Sequence, residues 1–368
     1  MNLKNGHRTA IGLMSGTSMD GIDAALLSVD EKGHMHQGAT LTQPYDGETK
    51  ARIRAILGGR GGEAEIATVS ELLTRAHADI VNNLVQQNNI NNYDISIIGF
   101  HGHTILHQPE VRRTRQIGDG ALLAALTGID VVDDFRSADV AAGGQGAPLA
   151  SLYHGALAAG LPKPLAVLNV GGVANVTWIG KPSGDGEEML AFDTGPGNAL
   201  IDDWVRQCGR GEMDLQGHLA LAGEVDEGGL AALLNNVYFD LAPPKSLDRN
   251  DFTVPPKPGW SPEDGAATLT AFTARSVAKA MEHLPSPPER WLVCGGGRHN
   301  PALMTALGAA LSAPVAPVET VGWRGDFLEA EAFAYLALRH LDGLPLSLPG
   351  TTGVPRPMTG GRLNRHAA

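Results

Sequence analysis

Cysteine is nearly absent: the 368 residues hold only Cys208 and Cys294, and neither stands in a Cys-x-x-Cys or Cys/His ligand spacing. That argues against a zinc site and fits a reducing compartment. Long apolar runs are missing too. No stretch approaches the ~18 apolar residues of a membrane helix, and the opening Met1-Asn-Leu-Lys-Asn-Gly-His-Arg8 has no signal core. The expectation is a cytoplasmic protein with no membrane partner. Positive charge is in short supply, 28 Lys and Arg against 40 Asp and Glu for a net −12, which argues against a nucleic-acid surface. It does not argue against a nucleotide, whose phosphates can be held by backbone N–H groups, helix N-termini and Mg²⁺. Two phosphate-binding signatures are also lacking. No GxxxxGK[ST] string occurs, and no GxGxxG with a following acid stands after the first strand, which removes P-loop chemistry and weakens a dehydrogenase reading.

What is present is a composition of 43% apolar and 18% charged residues, suited to sizeable cores. The length exceeds the range of one core, so two domains are expected. Thr9 to Met14 and Ile22 to Val29 read as strand, tight turn, strand. Residues 63 to 90 carry Ile66, Val69, Leu73, Ile80 and Leu84 at helical spacing. Ile95 to Phe100 reads as a buried strand ending in His101-Gly-His-Thr104, residues 121 to 127 as a helix stopped by Gly128, and 129 to 132 as a strand. Leu165 to Val170, Gly171-Gly172 and Val173 to Ile179 repeat the strand, glycine turn, strand pattern roughly 160 residues on, which suggests two related α/β halves. Helices are expected over 199–207, 265–282, 301–311 and 329–341, and a strand over 291–294. The Pro-rich tract from Ala242 to Gly259 reads as a long surface loop or lid, and the tail from Leu344 as a segment that covers the first domain or frays.

Four motifs could carry chemistry. Gly12 to Gly21 combines glycines, which allow close approach of an anion, with the hydroxyls of Ser15, Thr17 and Ser18; the plain alternative is a polar hairpin turn. In Ala191-Phe-Asp-Thr-Gly-Pro-Gly-Asn198, Asp193 follows an apolar pair before a glycine turn, where a carboxylate can serve as a base in phosphoryl transfer; otherwise it is a turn or N-cap aspartate. Gly295-Gly-Gly297 offers a flat backbone surface to a ring or phosphate, with Asn300 as helix cap and Pro301 as first helical residue. The histidines of Gly99 to His107 lack an acid at ligand spacing, so a polar substrate contact or a satisfied core histidine is expected rather than a metal. Arg136 and the loop Gly143 to Pro148 could add a guanidinium and backbone donors.

Taken in order, GLMSGTSMDGIDAAL (12–26), GFHGHTILHQP (99–109), QIGDG (116–120), DDFRSADVAAGGQGAPLA (133–150), LNVGGVANVT (168–177), FDTGPGNALIDDW (192–204), PPKS (243–246) and VCGGGRHNPALM (293–304) span nearly the whole chain. The set resembles the anhydro-N-acetylmuramic acid kinases of bacterial cell-wall recycling. The resemblance implies an α/β, two-domain sugar kinase/Hsp70/actin (ribonuclease H-like) fold with an ATP cleft between the domains: residues 1–135, with 342–368 packing back on them, and 136–341. It implies that ATP, with Mg²⁺, and water convert 1,6-anhydro-N-acetylmuramic acid to N-acetylmuramic acid 6-phosphate and ADP. Asp193 carries over as the base. Gly16, Thr17, Ser18, Met19, Asp20, Gly21, Ile22 and Asp23 carry over as the ATP-phosphate segment, with Gly171, Gly172, Gly295, Gly296 and Gly297 as nucleotide neighbours. Arg136, Glu329 and His101 carry over as substrate contacts, and a homodimer is implied. The chain departs from the family at His103, where Gln is common, and has Met14-Ser15 where the wider superfold carries an acid, which leaves the Mg²⁺ ligands open. Alternatives are an ordinary superfold kinase acting on a free sugar hydroxyl, or a non-catalytic nucleotide-binding relative.

Overall fold

A computed structural model describes residues 7–16, 19–183, 186–253 and 259–366. The chain forms two compact units, Met1–Tyr153 together with Phe327–Ala368, and His154–Asp326.

The first unit is built on a sheet of seven strands. They are β1 (His7–Ser15), β2 (Gly21–Asp30), β3 (Met35–Pro44), β4 (Ile97–Gln108), β5 (Arg113–Ile117) and β6 (Val131–Asp133), joined by the last strand of the chain, Arg362–Asn364. Across the sheet β3, β2, β1, β4 and β6 lie side by side. β2 runs antiparallel to both β1 and β3, whereas β1, β4 and β6 are mutually parallel neighbours. The second unit repeats this arrangement with new residues. Its strands β7 (Leu165–Val170), β8 (Val173–Ser183), β9 (Gly186–Pro196), β10 (Trp291–Cys294) and β11 (Val315–Pro317) lie in the order β9, β8, β7, β10, β11. Again the second strand is antiparallel to its neighbours, and the first, fourth and fifth run parallel. Continuing the same numbering, Arg362–Asn364 is β12.

Local sequence explains most of these elements. β7 is buried at every position, as its unbroken Leu-Ala-Val-Leu-Asn-Val run requires of a central strand covered on both faces. The helix Glu63–Gln87 buries Ile66, Val69, Leu73, Ile80 and Leu84 and has Glu63 and Glu65 in its first turn, where they complement the macrodipole. Gly128 ends the helix Gly120–Thr127 at φ 68°, a left-handed cap without a Cβ penalty. Asn300 caps Pro301–Ala310 by accepting the Leu303 N–H at 3.1 Å. The first cluster of apolar side chains packs the Glu63–Gln87 helix on β1, β2 and β4; the second packs Pro262–Ala280 and Pro301–Ala310 on β7, β8 and β10.

The structure adds strand to the sequence reading. β4 does not end within His101-Gly-His-Thr104 but continues to Gln108, and Gly102 at φ 72° lets the strand pass the Ile117 carbonyl, which a Cβ would meet at 2.4 Å. β3 and β9 lie where no strand was read; β3 is a sheet-edge segment with no fully buried residue. The resemblance implies a division at 135/136 and 341/342; the chain divides into its two compact units at 153/154 and 326/327. The helix Leu328–Leu341 lies against β1 and β4 so closely that a Cβ on Gly12 would stand 1.7 Å from the Ala330 carbonyl oxygen, and one on Gly99 2.1 Å from that of Phe333. The tail beyond it pairs β12 with β6, and Arg362 forms a two-pronged ion pair with Asp133 at 3.0 and 2.8 Å. Of the Pro-rich tract, residues 254–258 lie outside the described residues.

Gly12→Ala is expected to destabilise the protein by about 2–4 kcal/mol, because overpacking here presses on helix backbone rather than on an adaptable side chain. Urea unfolding followed by circular dichroism checks this; an unchanged midpoint would refute the tight helix-on-strand contact.

Candidate active site

In the second unit three of the motifs converge at the ends of β7 and β9. The Gly171-Gly172 turn supplies carbonyls to the start of the next helix, accepting from the N–H groups of Gly197 (2.9 Å), Asn198 (2.8 Å) and Ala199 (3.2 Å). A Cβ on Gly197 would lie 2.3 Å from the Gly171 carbonyl oxygen, so glycine is needed there for the close approach. Asn198 adds a bond from Nδ2 to the Val170 carbonyl at 3.1 Å. From the other side Gly295, at φ 74°, comes so near β7 that a Cβ would touch Asn169 Oδ1 at 2.3 Å and the Val170 carbonyl at 2.7 Å; Gly297 is equally close to the Val170 side chain. Gly171, Gly172, Gly295, Gly296 and Gly297 are thus one assembly, and Gly296 is its exposed member.

Arg298 secures the Gly-rich turn. It is 8% exposed, donates to the Gly295 carbonyl at 3.0 Å and pairs with Glu319 (2.9 Å) and Asp326 (2.8 Å). Hydrogen bonds from Arg298 hold the Asp326 carboxyl below its usual range, against the opposing effect of burial. Asn169 Oδ1, buried between the turn and β7, has no hydrogen-bond partner among the described residues.

Asp193, near the end of β9, is 5% exposed and fixed by backbone on several sides. Its N–H donates to the Lys245 carbonyl at 2.9 Å, its carbonyl accepts the Tyr238 hydroxyl, and its Oδ2 accepts the Leu247 N–H at 2.8 Å. Lys245 ties this cage together. Its Nζ donates to the carbonyls of Tyr238 (2.9 Å) and Phe239 (3.2 Å) and sits 4.6 Å from the Tyr238 ring centre. Burial lowers the Lys245 pKa to about 8. Burial likewise raises that of Tyr238, helped by the Asp193 charge, so its hydroxyl remains a donor. An aspartate held by peptide groups on either side keeps one orientation, as a base must.

In the first unit the predicted loop residues separate by role. Thr17 and Ser18 lie outside the described residues. Met19 is 3% exposed and Ile22 fully buried, both within the apolar core, so only their backbones could meet a ligand. Gly21 is required for strand pairing, since a Cβ would reach the Gln43 carbonyl at 2.3 Å, and Gly12 for the helix contact above; the sequence reading had assigned both to anion approach. Asp20 is exposed, and Asp23 accepts the Thr42 hydroxyl at 2.6 Å.

Arg136 and His101 are brought together. The guanidinium donates to His101 Nε2 at 3.1 Å from Nε and to the Gly146 carbonyl at 2.7 Å, while the imidazole lies against Phe333 with ring centres 4.6 Å apart. Burial first, and then the Arg136 charge, drive the His101 pKa well down, so this histidine is neutral and can accept from the arginine. Glu329 sits half-buried in the first turn of Leu328–Leu341. The loop bearing Gly146 is held by Asp139, whose carboxylate accepts the Gly146 N–H and the Thr352 hydroxyl, each at 2.6 Å. Among the described residues no group of three His, Cys, Asp or Glu side chains could hold a metal, and no helix is long and apolar enough to cross a membrane.

Sequence reasoning missed Lys245, Tyr238, Arg298, Asn169 and Asp139. Only Lys245 carried a signal, as a cation in a Pro-rich stretch; Tyr238 reaches Asp193 and Arg298 reaches Glu319 and Asp326 through contacts the local sequence does not show.

Two sheets of the same order, 3-2-1-4-5 with the second strand reversed, each ending in glycine turns, define a duplicated ribonuclease H-like scaffold of the sugar kinase, Hsp70 and actin type. The chain belongs to the anhydro-N-acetylmuramic acid kinase family, whose model matches residues 8–365. An anhydro-N-acetylmuramic acid kinase of Rhodospirillum rubrum is 57% identical over 96% of this chain and 93% of that one. One from Paramagnetospirillum magneticum is 55% identical over 96% and 98%. A solved structure, the activator of 2-hydroxyisocaproyl-CoA dehydratase from Clostridium difficile with bound ADPNP, matches with a TM-score of 0.46 and 10% identity over 91% of this chain and 96% of that one, too slight a likeness to argue from.

The folded pKa of Lys245 lies below the 10.5 of an unburied lysine, so the unfolded chain binds more protons between about pH 8 and 10.5 and this group adds stability as pH rises through that window. Above pH 8, however, the cage around Asp193 loses its charge-assisted anchor. In ¹³C-lysine NMR one resonance is expected to titrate near pH 8 and to vanish in Lys245→Met; its absence would refute the buried amine.

Proposed function

We propose that the chain phosphorylates 1,6-anhydro-N-acetylmuramic acid with ATP while hydrolysing its anhydro bridge, giving N-acetylmuramic acid 6-phosphate and ADP, as a step in the reuse of cell-wall sugars. Family membership across residues 8–365 supports the substrate. The observation that carries the mechanism is the cage that fixes Asp193 through Lys245, Tyr238 and Leu247.

Asp193 takes a proton from a water whose oxygen forms the new bond to C1. The C1–O6 bond breaks, O6 bonds to the γ-phosphorus, and the bond from that phosphorus to the bridging oxygen breaks to release ADP. The first half resembles the water attack of an inverting glycosidase and the second an in-line phosphoryl transfer. Gly16 to Asp23 hold the nucleotide phosphates, and Gly171, Gly172 and Gly295 to Gly297 border the nucleotide. Arg136, oriented by neutral His101, meets the lactyl carboxylate, which suits a guanidinium fork. Glu329 is a further sugar contact.

Mg²⁺ fits the residues present. It commonly uses one or two carboxylates and the nucleotide's own phosphates rather than a full protein cage, and Asp20 and Asp23 are such carboxylates beside the loop. Bound there, the ion would neutralise charge on the transferring phosphate. A homodimer in the cytoplasm completes the proposal, on the strength of the family resemblance.

Asp193→Asn is expected to bind ATP normally while turnover falls at least 10³-fold; near-normal turnover would remove Asp193 as the base. In H₂¹⁸O, promptly quenched wild-type product should carry the label at C1 and none on phosphorus. Unlabelled C1 would point to a kinase of a free sugar hydroxyl.

A further inference from the structure

Within the first unit, the loop that gives Arg136 its carbonyl partner is fastened from two directions. One is the short helix Ser137–Ala141. Its Asp139, 3% exposed, accepts the Gly146 N–H on Oδ1 at 2.6 Å and the Gly144 N–H on its own backbone carbonyl at 2.9 Å. The other is the tail of the chain, 213 positions further on. Thr352, fully buried at the end of the short helix Pro349–Thr352, donates its hydroxyl to Asp139 Oδ2 and accepts the Gln145 N–H on its carbonyl, each at 2.6 Å. Three successive N–H groups, of Gly144, Gln145 and Gly146, are therefore taken by Asp139 or Thr352. Gly144 is wedged between helix and tail: a Cβ there would stand 2.2 Å from Asp139 Oδ1 and 2.6 Å from Val354 Cγ1. His107 adds a bond to the Gln145 backbone. The carbonyl at the end of this fastened stretch, that of Gly146, is the one that accepts from Arg136 at 2.7 Å.

We propose that Asp139 and Thr352 form a clasp between loop and tail that aims Arg136 and so sets the preference for a carboxylate-bearing sugar; the proposal rests on the reading of Arg136 as the contact for that carboxylate. Two acceptors orient the guanidinium, His101 Nε2 and the Gly146 carbonyl. The first is carried by a sheet strand, whereas the second moves with the loop. A buried carboxylate makes short, charge-assisted bonds, and removing one donor leaves an oxygen whose demand is unmet. Without the Thr352 hydroxyl the loop loosens, and Arg136 regains rotamer freedom that it must surrender when an anion binds. The loss is selective: it weakens the grip on a carboxylate and not on the nucleotide. Burial first, and then the Arg136 charge, lower the His107 pKa to about 4, so this neighbour stays neutral and brings no charge of its own to the anion. Asp139 and Thr352 are positioning residues, acting through Gly146.

The test is titration calorimetry without ATP, comparing 1,6-anhydro-N-acetylmuramic acid with its methyl ester, whose lactyl group carries no charge. The ratio of the two Kd values reports recognition of the carboxylate. Thr352→Val keeps the volume and loses the hydroxyl; it is expected to weaken binding of the acid about five- to tenfold and to leave the Kd values for the ester and for ATP unchanged. Thr352→Ser, which keeps the hydroxyl, should restore the wild-type ratio. Arg136→Met is expected to bring acid and ester to the same Kd. Circular dichroism at the titration temperature checks folding. If Thr352→Val does not fold, Asp139→Asn takes its place; an uncharged oxygen holds the Gly146 N–H less strongly, so the ratio should narrow in the same direction. A wild-type ratio in the folded clasp variant, while Arg136→Met levels the two ligands, would overturn the clasp and leave the reading of Arg136 standing. A wild-type ratio in Arg136→Met would overturn that reading and the clasp with it. Equal weakening of acid and ester in the clasp variant would reduce these bonds to ordinary core contacts and overturn the clasp.

Discussion

The contact on which the first unit depends is the one between helix backbone and strand backbone at Gly12 and Gly99. Two missing side chains, one in β1 and one in the parallel β4, let Leu328–Leu341 settle directly on the sheet. The same approach sets Glu329 at the start of that helix and brings Phe333 against His101, which in turn receives Arg136. A packing requirement and the His101–Arg136 contact thus share one interface, so a substitution in the floor of the sheet would be felt at the guanidinium.

The second unit solves a related problem differently. Asp193 meets the Leu247 N–H, the Lys245 carbonyl and the Tyr238 hydroxyl, and Lys245 Nζ binds the Tyr238 and Phe239 carbonyls beside the Tyr238 ring. Peptide dipoles are fixed in charge over the whole working pH range, whereas the lysine is not. The peptide contacts to Asp193 persist when Lys245 loses its proton above about pH 8.

Much of the scaffold was legible in the sequence because central elements are the most strongly patterned. β10 is an unbroken apolar run and β7 one interrupted only by Asn169, and helix 301–310 carries Asn300 and Pro301 at its start. The third strand of each sheet was not legible. β3 is Met-His-Gln-Gly-Ala-Thr-Leu-Thr-Gln-Pro and is held by pairing to β2 rather than by burial. Of the candidate site, Asp193 and the glycine turns stand out by local composition. Asp139, Tyr238 and Arg298 do not, because their importance comes from partners brought near by topology. The glycines of the first loop carry a constraint that local composition does not show: Gly12 and Gly21 each allow a close backbone approach, to the Ala330 and Gln43 carbonyls.

The two units are unequal as lengths of chain. The second, His154–Asp326, is continuous, while the first is interrupted by it and is finished only by Phe327–Ala368. On the ribosome the second unit can close as soon as its last strand emerges. The first must wait, with Gly12 and Gly99 uncovered and β6 lacking its β12 neighbour, until Leu328–Leu341 and Arg362–Asn364 have emerged. The newborn chain therefore passes through a stage in which one half is folded and the older half still shows an open sheet, the stage at which a chaperone has most to protect.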